Sequence, residues 1–238
     1  MFGRRVFVSF ALVLLLSPFV HGNNFSFTGT FQHDTDLQTF TFTLLHDTPG
    51  VTLRTWSYAG GTDAAGQIIP SGGFETYLNL YLADGTQMNP GFAGPCVAPQ
   101  TDDPVTGVCG DVYYPTTYSF PGGLWSAGTY TVVLSTFANP GIGNLSDGFF
   151  ASQVLGLPVP SNFTCQPGPL GFQSSPPTVP VDQPFCDEFL PGTQRTGNWE
   201  LDIVGVDSAT QAATTPEPGS LILVLLGGLV AIRRRLSR

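Results

Sequence analysis

Asp84, Asp102, Asp103 and Asp111 are the side chains whose type and spacing come closest to a recognisable chemistry. They share one Gly/Pro-rich stretch of the chain. Calcium takes about six to eight oxygen ligands from carboxylates, carbonyls and water, and loops between strands supply these readily. Calcium is the candidate chemistry, but plain solvated turns are slightly the favoured reading, because Asp is a standard turn residue. Cys96, Cys109, Cys165 and Cys186 form the second constellation. Four cysteines allow three pairings, and Cys96–Cys109 with Cys165–Cys186 is favoured because each bond closes one long excursion locally. Zinc is the alternative, but there is no C-x-x-C knuckle to support it. Trp56 and Trp125, with Tyr58, Tyr113, Tyr114 and Tyr118, would form a sugar-stacking platform if exposed, or sheet and loop packing if not.

Signals for catalysis are absent. The chain contains no G-x-S-x-G elbow, H-E-x-x-H helix or phosphate-binding loop. His33 with Asp34 and Asp36, and His46 with Asp47, fall where strands turn, and they read as solvated turn residues. Glycoside cleavage needs two acids facing each other at roughly 5–10 Å, and nothing in the spacing of the acids marks such a pair. An enzyme is not expected. Nucleic-acid binding is excluded on charge. The chain has no lysine, and residues 23–212 set Arg54 and Arg195 against sixteen acids, a net charge of −14 that repels phosphate backbones.

The elements that must position these groups are strands. Apolar residues recur with a period of two: Phe25 and Phe27; Phe40, Phe42 and Leu44; Val51 and Leu53; Leu78, Leu80 and Leu82; Tyr130, Val132 and Leu134; Trp199, Leu201 and Ile203. Threonine and aromatics fill these runs, and Gly, Pro, Asn and Asp separate them. Alternation of this kind gives each strand one buried and one wet face, so an all-β, antiparallel β-sandwich is expected over residues 23–212. Two connections, 84–123 and 156–195, read as long proline-rich loops, each tied by its own cysteine pair.

Both ends read as addresses. Arg4 and Arg5, the apolar run Val6–Leu16, then Pro18 and small residues up to Gly22 make residues 1–22 a signal helix for the Sec machinery and signal peptidase. At the other end, residues 213–238 hold Pro216-Glu217-Pro218, an apolar segment over 219–232, and Arg233-Arg234-Arg235. As a helix that segment spans about 21 Å at 1.5 Å per residue, short against a hydrocarbon core of about 30 Å. A tilted transmembrane helix with snorkelling arginines fits, with the basic end in the cytoplasm.

This three-part tail resembles the PEP-CTERM sorting signal of Gram-negative bacteria, except that Thr215 stands where Val is common before the motif. The resemblance implies transient anchoring in the inner membrane, cutting near the motif by an exosortase, and a final place at the cell surface or in the extracellular matrix. The middle of the chain has a likeness too. Thr52–Thr62, Leu78–Gly85, Ala127–Val132 and Leu145–Phe149 resemble, in order, an exported β-sandwich family of unknown function. That family is distantly similar to the bacterial pre-peptidase C-terminal domain. The resemblance implies a jelly-roll-like sandwich and a secreted setting, but no activity. The role expected is structural or adhesive, with exopolysaccharide binding as the alternative and a polysaccharide-active hydrolase as the lesser rival.

Overall fold

The computed structural model describes residues 22–93, 110–114, 124–166, 182–187, 190 and 192–213. The strands fall where the period-two runs lie. They are β1 (Asn23–Thr30), β2 (Gln38–Leu44), β3 (Thr52–Thr55), β4 (Gly61–Thr62), β5 (Ile68–Ile69), β6 (Thr76–Leu82), β7 (Gln87–Ala93), β8 (Tyr113–Tyr114), β9 (Gly128–Thr136), β10 (Asn198–Val206) and β11 (Ser208–Gln211). A single-turn helix, α1, covers Phe150–Gln153.

All strand pairing between these elements is antiparallel. One sheet runs β1-β10-β3-β8, a second runs β11-β2-β9-β6-β7, and β4 with β5 makes a small hairpin. The inner faces of the two large sheets share one core. Phe40, Phe42, Leu78, Leu80, Val132 and Leu134 come from the second sheet, and Leu53, Tyr114, Trp199, Leu201 and Ile203 from the first. Phe40 meets Trp199 across the interface edge to face at 5.7 Å, an arrangement aromatic pairs favour.

Three expectations are corrected. The connection 84–123 is not one long loop. It contributes β7 and β8, which form an outer edge of each large sheet. Pro90 is tolerated in β7 because an edge strand has one side free of pairing. Nor does each strand keep a wet face. β6 is buried on both sides except at Leu82, which lies 42% exposed at its end. Its outer face, with that of β9, lies under the turn around α1, where Tyr81, Val133 and Phe149 cluster and Leu145 packs against them. Asn79 secures this cover by accepting a hydrogen bond from the Gly141 N–H at 2.7 Å.

The third correction concerns the aromatic platform. Trp56 is 5% exposed and Trp125 1%, and Tyr58 and Tyr114 are buried as well. Trp125 is a core residue, 5.2 Å from the Tyr130 ring and 5.7 Å from Phe42. Trp56 lies under the guanidinium of Arg54 at 3.4 Å. A large ring on a covered face gains more from removal from water than from display. Tyr118 lies outside the described residues, as do Cys96, Cys109, Asp102, Asp103, residues 1–21 and the tail with Pro216, Glu217, Pro218, Arg233, Arg234 and Arg235. Among the described residues no helix is long and apolar enough to cross a membrane.

Candidate functional site

With Trp199, Leu201 and Ile203 committed to the core, strand geometry sends Glu200 and Asp202 to the opposite face of β10. That face is roofed. Residues 56–76 leave β3, fold back through the β4–β5 hairpin and return to β6, and polar groups of this segment bond directly to the face beneath. Asp202 accepts the Trp56 indole N–H at 2.9 Å and the Ala64 N–H at 2.9 and 3.0 Å, and the Ser26 hydroxyl of β1 completes its set at 2.6 Å. The Ser57 hydroxyl accepts the Glu200 N–H at 3.1 Å. Glycine is required at position 61, since a Cβ there would stand 2.2 Å from the Trp56 ring.

The roof is held at its margins by two further acids. Asp111, just before β8, accepts the Thr55 hydroxyl at 3.1 Å and the N–H groups of Tyr58 and Ala59 at 3.0 and 2.8 Å. Burial pushes its carboxyl up to about 6, and these bonds only partly offset the effect. Asp187 accepts the Arg195 Nε–H at 2.7 Å, the Tyr58 hydroxyl at 3.0 Å and the Leu190 N–H at 2.8 Å. Burial acts to raise Asp187, but its hydrogen bonds with Glu75 and Arg195 outweigh this and hold it below the usual carboxylate range. The Arg195 guanidinium lies 3.6 Å over the Tyr58 ring.

Glu200 differs from its neighbours. It is 0% exposed, and no donor reaches either carboxyl oxygen. Burial, then the nearby Asp202 carboxylate, push it up to about 11. Asp63 in the roof, itself buried and accepting the Gln67 N–H at 2.7 Å, adds negative charge to this region, as does Asp111. The cluster therefore joins roof to sheet through internal polar bonds. Two surface hollows, of about 430 and 360 Å³, are lined by other residues: Asp84, Thr86, Asn144 and Ser146 in the first, Asp36, Gln38 and Trp199 in the second.

Of the expected calcium acids, the two described ones lie apart. Asp84 is exposed in the β6–β7 turn of the second sheet, where it accepts the Thr86 N–H at 2.9 Å, whereas Asp111 is buried beside the first. Among the described residues no group of three His, Cys, Asp or Glu side chains is placed to hold a metal. The Cys165–Cys186 disulfide is present, with Cα atoms 5.0 Å apart.

Sequence reading gives Glu200 and Asp202 no role and places Asp34 in a solvated turn. Asp34 is not a solvated turn acid but 0% exposed, accepting the N–H groups of Phe163, Thr164 and Phe185 and the Thr164 hydroxyl. The available signal was the Glu-x-Asp spacing on a strand whose other face is fully apolar. That spacing fixes the face, but it says nothing of a roof supplied by residues more than a hundred positions away. Searches against family models, curated proteins and solved structures find no match to this chain.

Proposed function

We propose that the chain is an exported, exosortase-processed protein of the cell surface or extracellular matrix with a structural or adhesive role. On this reading it crosses the inner membrane by the Sec route, loses residues 1–22 to signal peptidase, is held briefly by residues 219–232, and is released near Pro216-Glu217-Pro218. The observation that carries the reading is the Cys165–Cys186 disulfide, since such bonds persist in oxidising compartments outside the cytosol. The interior supports a durable module: buried acids serve as ties, and two antiparallel sheets share one core, in keeping with a jelly-roll-like sandwich. The exopolysaccharide-binding alternative has no stacking surface in Trp56 or Trp125, because both are covered.

Mass spectrometry of the protein recovered from the matrix tests the reading. A mature C-terminus within a few residues of Pro216–Gly219, lost in a Glu217→Ala variant, is expected. Recovery of chains ending at Arg238 would overturn it.

A further inference from the structure

Asp111, Asp187 and Asp202 each receive hydrogen bonds from at least three donor groups, but Glu200, in the same roofed region and equally removed from water, receives none. A buried carboxylate with no donor is among the costliest groups a protein can hold, and the usual resolution is to neutralise it. The acids nearest to it oppose ionisation further. Asp202 lies on its own strand, Asp63 faces it from the roof, and Asp111 adds charge from the segment before β8. On the β1 side the register sets only Thr28 opposite Glu200 and Ser26 opposite Asp202. On the β3 side the register sets Arg54 opposite Asp202, and its guanidinium is stacked on Trp56. Glu200 and Asp202 stand two residues apart on the same face of β10, so their carboxyl groups are neighbours, and two carboxyl groups bond only when one of them carries a proton.

We propose that Glu200 is a proton-binding site: the carboxyl keeps its proton through the neutral range, donates it in a hydrogen bond to the Asp202 carboxylate, and so locks the roof of residues 56–76 onto the first sheet. Asp202 is the shared anchor, since it also holds Trp56 and Ala64. Loss of the proton to solvent leaves two adjacent carboxylates, one of them without a donor, and the roof is the element free to lift away from them. A proton thus occupies the place that a bound cation would otherwise fill.

The sign follows from linkage. A carboxyl whose folded value is raised stabilises the fold fully below its unfolded value of about 4.5, and this contribution drains away as pH climbs toward the folded value. Urea unfolding of the purified full chain in detergent, at several pH values between 5 and 9, compares wild type with Glu200→Gln, which is permanently neutral. The wild-type unfolding constant, divided by that of the variant, is expected to rise about tenfold per pH unit. A flat or falling ratio overturns the proposal. If the variant fails to fold, carbon-13 labelling of the wild-type glutamates answers directly. The assigned Glu200 carboxyl carbon is expected at its protonated shift at pH 7, and an ionised shift overturns the proposal. Calcium that raises the melting temperature of wild type but not of Glu200→Gln would make the pair a cation site and would equally overturn it.

Discussion

Asp34 accepts the backbone N–H of Phe185 at 2.7 Å, which ties the turn after β1 to a residue that follows it by 151 positions. The same carboxylate takes the Phe163 and Thr164 N–H groups at 2.7 and 2.8 Å. Those donors flank Cys165 and Cys186, and Thr164 passes the connection on by accepting the Cys186 N–H through its hydroxyl at 2.9 Å. The disulfide and Asp34 therefore grip the same two limbs of the chain, one covalently and one by charge-assisted hydrogen bonds.

A shared grip makes the two ties interdependent. Asp34→Asn puts an amide NH2 where one oxygen now meets backbone donors, and is expected to cost about 2–4 kcal/mol. Reduction of Cys165–Cys186 releases a loop of this size at a cost of about 3 kcal/mol in the chain-entropy model. Urea unfolding of wild type and variant, each oxidised and reduced, is expected to give a combined loss that departs from the sum by more than 0.5 kcal/mol or so, as coupled neighbours do. Strict additivity would mean that the limbs are held independently.

Mild acid is expected to stabilise this protein. Burial raises Asp111 to about 6 and moves Asp34 upward as well. A raised carboxyl contributes stability that is complete below its unfolded value and lost as pH rises through its folded value. Lowering the pH from 7.5 to 5 is therefore expected to strengthen the fold, by about 1 kcal/mol from Asp111 alone. Asp187 works in the opposite direction. Held low, it supplies stability above its unfolded value and loses it as pH falls further. Melting temperature plotted against pH is expected to peak in the weakly acidic range. A maximum above pH 7 would contradict the burial of Asp111 and Asp34.

Arg195→Met tests the ion pair at the margin of the roof. Asp187 is 0% exposed in its side chain, and the Arg195 Nε lies 2.7 Å from it. Removing the cation strands a buried charge, which typically costs 3–5 kcal/mol, or about that range here. Adding Asp187→Asn to Arg195→Met is expected to restore part of the loss, because the stranded charge is gone. Chemical denaturation of the two variants checks both steps.

The fold was legible where the alternation of side chains is strict. Phe40, Phe42 and Leu44 can sit together only on a strand, and they occupy one core face of β2. Cys165–Cys186 was legible because a bond that closes one excursion is local in sequence. The site was not. The alternation that commits Trp199, Leu201 and Ile203 to the core sends Glu200 and Asp202 away from it, but their burial depends on Ser57, Trp56 and Ala64, whose approach is a tertiary event. Asp34 failed as a turn acid for the same reason. A carboxylate beside a turn looks identical whether water or distant backbone N–H groups satisfy it. The strand β7 was hidden by Pro90, which argues against a central strand but is permitted at an edge.

β10 lies between β1 and β3, so the first sheet has no middle until residues 198–206 are present. A nascent polypeptide that stops short of Asn198 leaves the earliest strand, Asn23–Thr30, without its neighbour, and leaves β3 with only β8 beside it among the described residues. Assembly of this half of the domain therefore waits until residues 198–206 have been made, and truncation anywhere upstream of that point forfeits it entirely.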